Sequence, residues 1–248
     1  EAHRRWFEKD LPADIAYANV SDDWHGVALS GPKSRELLSR ITRDDVSSEA
    51  FKFRDQRQTF VGGVPVIINR ISFSGELGYE IYCKPQYLTR LADAIEEASA
   101  DLSFRWYGAR ALLSMRLEKG WGAWTMEYRP DFNAVESGMD VFINWKKDFV
   151  GKEATLKARD EGVSQRLVMM VIDTDGIDVA HDEAILKDGT PVGYVSSGGY
   201  AHHVGQSMAM GYVADEFAAP GTTLQVEILG SFYDAEILSR PIYDANGV

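Results

Sequence analysis

Beyond residue 160 the chain breaks into short β-favouring runs, at 166–172, 191–196, 208–213, 223–228 and 232–238. Asp188-Gly189, Gly198-Gly199, Pro220-Gly221 and Gly230-Ser231 punctuate them as turn signals. Strands this short and this evenly spaced bury their apolar residues only by closing into a small barrel or stacking as a sandwich. The region before them has a different texture. Strand-like runs at 17–20, 26–29, 56–61, 64–73 and 78–83 alternate with helical patterns at 32–41, 86–98 and 107–119, and a short helix runs from about 152 to Gly162. Gly62-Gly63 and Ser74-Gly75 fall between strands as turns. The expected fold class is α+β: an antiparallel-sheet domain over residues 1–159 followed by a small C-terminal β-barrel domain over 160–248. Trp6 and Phe7 read as part of an amphipathic helix rather than a frayed terminus, which marks the chain as a fragment or processed piece.

Charge excludes one large class of partners. The formal net charge is −12, a surface that repels phosphate backbones, and no local basic stripe offsets it. No nucleic-acid partner is expected. The sequence also has no apolar run long enough to span a bilayer and no secretory leader pattern, so no membrane partner is expected either. Cys83, the single cysteine, lies in the apolar run 79–83 and reads as a buried structural thiol, consistent with a reducing compartment such as the cytoplasm.

Standard catalytic signatures are missing. There is no phosphate-binding loop, no dinucleotide-binding glycine fingerprint and no nucleophile elbow. His202 and His203 are adjacent and His181 is remote, so they lack metal-ligand spacing and read as loop histidines. Three features remain. Glu76, in Ser74-Gly75-Glu76-Leu77-Gly78-Tyr79, is a carboxylate on a glycine-flanked turn. Such a group can accept the paired N–H and amine donors of a pteridine-like ring, each bond contributing about 1.5–3 kcal/mol when shielded. From spacing alone a solvated turn residue is the better reading. Arg110 stands in the first turns of a helix, where its guanidinium could fork onto a ligand carboxylate. An internal partner such as Glu136 is the better reading by pattern. The aromatic-rich segment 120–130 suits either a flat heterocycle or packing between domains.

The order of motifs along the chain resembles the glycine-cleavage T-protein (aminomethyltransferase) family. It is carried by Ala28-Leu29-Ser30-Gly31-Pro32-Lys33-Ser34-Arg35, then Ser74-Gly75-Glu76-Leu77-Gly78-Tyr79-Glu80, then Gly108-Ala109-Arg110-Ala111-Leu112. Arg116-Leu117-Glu118-Lys119-Gly120, Val135-Glu136-Ser137-Gly138-Met139, Asp148-Phe149-Val150-Gly151-Lys152-Glu153-Ala154 and Arg166-Leu167-Val168 continue it in register. The stretches 118–124 and 197–207 are most similar to the folate-binding C-terminal portion of dimethylglycine and sarcosine dehydrogenases.

The resemblance implies tetrahydrofolate-dependent one-carbon transfer, with a methylated amine or aminomethyl compound as donor. It implies that Glu76 binds the pterin, that Arg110 engages folate and that Tyr79 lines the pocket. The C-terminal barrel would cap the folate site. FAD would enter only through an upstream flavin-binding domain or subunit. The family's acid near the reacting nitrogens lies in an N-terminal third that this chain is expected to lack, so no catalytic residue is assigned. Alternatives that the resemblance leaves open are a folate-dependent S- or O-demethylase and a non-catalytic folate-binding module.

Overall fold

The computed structural model describes residues 2–9 and 11–243. Residues 1–72 with 77–105 form one compact unit, and residues 73–76 with 106–248 form a second.

The first unit is built on alternation. In β3 (Val64–Asn69), Val64, Val66 and Ile68 are buried while Pro65 faces solvent. In β4 (Gly78–Cys83), Tyr79, Ile81 and Cys83 turn the same way, inward. With β1 (His25–Ser30) and β2 (Gln56–Val61) they make a four-stranded antiparallel sheet in the order β1-β4-β3-β2. Helices α2 (Ser34–Ile41) and α3 (Leu88–Ala98) supply Leu37, Leu38, Leu91 and Ile95 to the core formed with Ile68, Ile81 and Phe51. Cys83 is buried in that core, as its apolar surroundings in the sequence imply. An N-terminal helix, α1 (Ala2–Lys9), carries Trp6 and Phe7, both exposed. The run at 17–20 forms no strand, because no neighbouring strand pairs with it among the described residues.

The second unit contains α4 (Ala109–Glu118), α5 (Lys152–Glu161) and six strands. These are β5 (Gln165–Ile172), β6 (Ala184–Lys187), β7 (Thr190–Ala201), β8 (Gln206–Ala214), β9 (Thr223–Ile228) and β10 (Ser231–Ile237). They close into a barrel in the order β10-β5-β8-β7-β6-β9, so the expected α+β class with a C-terminal barrel holds. Two details differ from the sequence reading. The four-residue β6 is additional. Gly198-Gly199 is not a turn but part of β7, and the turn comes at 202–205. A Cβ on Gly198 would lie 2.4 Å from Val179 Cγ1, so this glycine serves a close approach of the chain rather than a reversal. Leu117 of α4 packs with Met169, Met208 and Met210 on the barrel's outer face, and Ser114 Oγ donates to the Tyr200 carbonyl at 2.7 Å. No helix among the described residues is long and apolar enough to cross a membrane.

Candidate functional site

Glu76 ends the short segment 73–76 that belongs to the second unit. Its position is set by Gly75, whose φ of +84° lies in the left-handed region that favours glycine. A Cβ there would stand 2.8 Å from Lys119 Cγ and Cδ, so the turn is seated directly on the residue that ends α4. Ser74 is buried, and its hydroxyl accepts the Glu76 N–H at 3.4 Å. The Glu76 side chain is half-buried, and its carboxylate has no hydrogen-bond or ion-pair partner among the described residues.

Arg110 is the second residue of α4 and is exposed. It does not pair with Glu136, whose carboxylate instead takes the Asn133 N–H at 2.9 Å and Gln165 Nε2 at 3.4 Å. No partner holds the guanidinium among the described residues. The helix start adds its own positive end to that charge and has no side-chain cap, a combination suited to a carboxylate ligand.

Tyr79 lies elsewhere in character. Its side chain is 1% exposed, stacked on Phe51 with centroids 5.8 Å apart, and its hydroxyl accepts Arg35 Nε at 3.3 Å. It belongs to the core of the first unit.

Sequence reasoning missed a buried charge network behind α4. Arg116 (1% exposed) pairs with Glu127 (0% exposed) at 3.0 Å. Glu127 also accepts the Ala123 N–H at 2.7 Å, Ser196 Oγ at 2.7 Å and Ser197 Oγ at 2.5 Å. Consecutive strand residues normally point to opposite faces, but the register of β7 against β8 shifts between Val195 and Ser197. That bulge aims both hydroxyls at one carboxylate. Burial pulls the Arg116 guanidinium below its ordinary value, and the Glu127 charge opposes it. Burial likewise raises the phenols of Tyr128 and Tyr212. The signal that could have revealed the network is Arg116 itself, which shares a helical surface with Leu112 and Met115.

His202 and His203 lie in the turn at 202–205 and His181 in a bend, so all three are loop histidines as expected, although His203 is held in place. His203 Nδ1 lies 2.6 Å from Glu118 Oε2, its N–H donates to Glu118 Oε1 at 2.9 Å, and its ring stacks on Tyr243. No three metal-ligating side chains converge among the described residues. In the aromatic segment, Trp121 and Trp124 both meet Tyr128 edge-on, and Trp124 remains 69% exposed. The Arg116–Glu127 network anchors this segment, since Arg116 also donates to the Trp121 carbonyl at 3.0 Å.

Residues 1–147 match the family model described as the GCVT N-terminal domain, and residues 165–244 match the glycine cleavage T-protein C-terminal barrel domain. The mitochondrial dimethylglycine dehydrogenase of Homo sapiens is 33% identical over 96% of this chain but is covered over only 28% of its own length. The aminomethyltransferase of Halothermothrix orenii is 30% identical over 95% of this chain, covering 66% of that protein. Among solved structures, aminomethyltransferase T of the glycine cleavage system from Bartonella henselae superposes with a TM-score of 0.78, at 23% identity, over 90% of this chain and 60% of that one. That likeness is one of fold.

Proposed function

Since the chain belongs to the glycine-cleavage T-protein family, we propose that it holds tetrahydrofolate for one-carbon transfer, with Glu76 and Arg110 at opposite ends of the ligand. The observation that carries this reading is the seating of the Gly75 turn on Lys119. It sets the Glu76 loop at one end of α4, and Arg110 stands at the other. Arg110 and the cap residue Lys119 are nine steps apart along the helix, a rise of about 14 Å. That span is comparable with a pteridine joined through an aminobenzoyl group to glutamate.

The two side chains fit the chemistry required of them. Glu76 offers an unengaged, half-buried carboxylate to the adjacent ring N–H and amine donors, and Arg110 offers an unengaged cation to the terminal carboxylates. When bound, tetrahydrofolate supplies N5 as the nucleophile for the one-carbon unit. The work of these residues is to hold and orient, and such positioning can supply about 7–11 kcal/mol of a reaction barrier. Tyr79 enters the proposal three residues after Glu76, where its buried ring holds the first residues of β4 in place. No residue of this chain is assigned a proton-transfer role in the reaction. The division at about residue 160 into a folate-binding domain and a capping barrel is part of the same proposal, supported by the gap between the two family-model matches.

We further propose that the module serves a demethylating amine dehydrogenase, with a methylated amine as donor and a flavin-binding domain or subunit as partner. Similarity to dimethylglycine dehydrogenase across nearly the whole chain supports this. Calorimetric titration with a reduced folate tests the site. Glu76→Gln presents an amide donor to the ligand's donors and should weaken binding tenfold or more, while Arg110→Gln should weaken a folate diglutamate more than an unconjugated pteridine. Unchanged affinity in Glu76→Gln would sink the assignment.

A further inference from the structure

The network around Arg116 serves only one side of its guanidinium. Nη1 donates to Glu127 Oε2 and to the Trp121 carbonyl, both at 3.0 Å, and also meets Met210 Sδ at 3.7 Å. On the other edge, Nη2 has a single acceptor among the described residues, the thioether sulfur of Met126 at 3.4 Å. Nε beside it is buried and has no hydrogen-bond partner. Thioether sulfur is a weak acceptor. A cation that is 1% exposed therefore turns one edge toward nothing better than sulfur. Buried donors are ordinarily satisfied, and leaving one unmade costs stability, more so when the group is charged.

Met126 also differs from the other sulfurs near α4. Met169, Met208 and Met210 are buried in the apolar cluster with Leu117. Met126 is half-buried and lies in the turn 125–127, between the bridged residues Trp124 and Tyr128. The residue thus meets both solvent and a buried cation.

The chemistry open to such a sulfur is oxygen transfer. Its lone pair attacks the outer oxygen of a hydroperoxide, the O–O bond breaks, and water or an alcohol leaves with the proton. Sulfur is oxidised by two electrons and the peroxide is reduced by two. The new S–O bond carries negative charge on oxygen, which in an apolar interior is stranded and loosens the fold. Beside Arg116 the same oxygen meets the N–H groups that the network leaves over, and it accepts a charge-assisted hydrogen bond. We propose that Met126 is a methionine-oxidation site whose sulfoxide is held by Arg116 Nη2 and Nε. Oxidation by a hydroperoxide then tightens the attachment of the aromatic segment 120–130 to α4. The site is independent of the folate reading and would survive its failure.

Limited treatment of the 248-residue chain with hydrogen peroxide, followed by peptide mapping in a mass spectrometer and by urea denaturation, provides the test. Met126 sulfoxide should accumulate severalfold faster than that of Met115 or Met139, which are also half-buried. The urea midpoint should hold or rise as Met126 gains its oxygen. A second measurement needs no oxidant. Met126→Gln offers Arg116 an amide carbonyl in place of the sulfoxide oxygen and should be more stable than Met126→Leu, which offers no acceptor. Oxidation of Met115 or Met139 ahead of Met126 would overturn the proposal, as would a midpoint that falls further on oxidation in the parent than in Met126→Leu. A Met126→Gln chain no more stable than Met126→Leu would overturn it as well. Should either variant fail to fold, the peptide map and midpoint of the parent decide alone.

Discussion

Arg116 carries a charge into the buried interior of the second unit, and Glu127 is what makes that tolerable. A buried ion pair contributes little net stability against well-packed apolar residues, but removing one partner strands the other. Glu127→Leu should therefore lower unfolding free energy by about 3–5 kcal/mol, read from urea denaturation. The loss should fall toward the upper end, because the Ala123 N–H and the Ser196 and Ser197 hydroxyls lose their acceptor as well. Arg116→Met combined with Glu127→Leu should recover most of it. A double variant as unstable as the single one would show that the hydroxyl bonds, not the charge, dominate. Arg116 shares a helical surface with Leu112, Met115 and Lys119 in the sequence, which is as much of the network as local pattern records. Glu127 was not legible there, because its pairing depends on a bulge in a strand some seventy residues further on.

At the scale of elements, two glycine turns do different work. Gly62 joins β2 to β3 at φ +59°, and a Cβ there would stand 2.3 Å from Ala94 Cβ of α3. Gly62→Ala combines backbone strain with overpacking and should destabilise the first unit by about 2–4 kcal/mol, measured by chemical denaturation. Gly75 instead seats the Glu76 loop on α4. Gly75→Ala incurs the same left-handed strain, about 1–3 kcal/mol, against the stem of Lys119, and should also weaken reduced-folate binding tenfold or more under conditions where the variant remains folded. Lost stability with unchanged affinity in the folded variant would mean that the turn is structural only. The hairpins and helices around these turns were legible because apolar periodicity and glycine punctuation are local signals. The strand β6 was not, since four residues carry too little pattern and become a strand only when β7 and β9 flank them.

Over the whole molecule, tyrosine phenols and the cysteine thiol shifted by burial occur in both units and act in the same alkaline direction. In the first, burial pushes the Tyr82 phenol up to about 12, helped by its 2.7 Å hydrogen bond to Glu80, and burial raises the Cys83 thiol. In the second, burial raises Tyr128, Tyr194 and Tyr212. Each folded value lies above the unfolded one, so the unfolded chain releases its protons first. The stability these groups contribute is complete below the ordinary thiol value of 9.0, begins to fall there through Cys83, and is lost further as pH rises from the ordinary tyrosine value of 10.0 toward 12. The urea midpoint should hold steady near neutrality and fall through that window, with Tyr82→Phe flattening part of the decline. A midpoint that stays level across the window would contradict the burial of these phenols.

By itself the sequence determined the α+β class, the C-terminal barrel, the buried Cys83 and the turn that carries Glu76, because each is written in neighbouring residues. Its ordered motifs also pointed to the family that the matches over 1–147 and 165–244 establish. Only the tertiary structure decided that Arg110 has no partner among the described residues, that Tyr79 is a core residue, and that Arg116, Glu127, Ser196 and Ser197 form one network. The physical reason is distance along the chain. Whether a charge is paired or a hydroxyl stranded depends on which remote strand arrives beside it, and no local pattern records that.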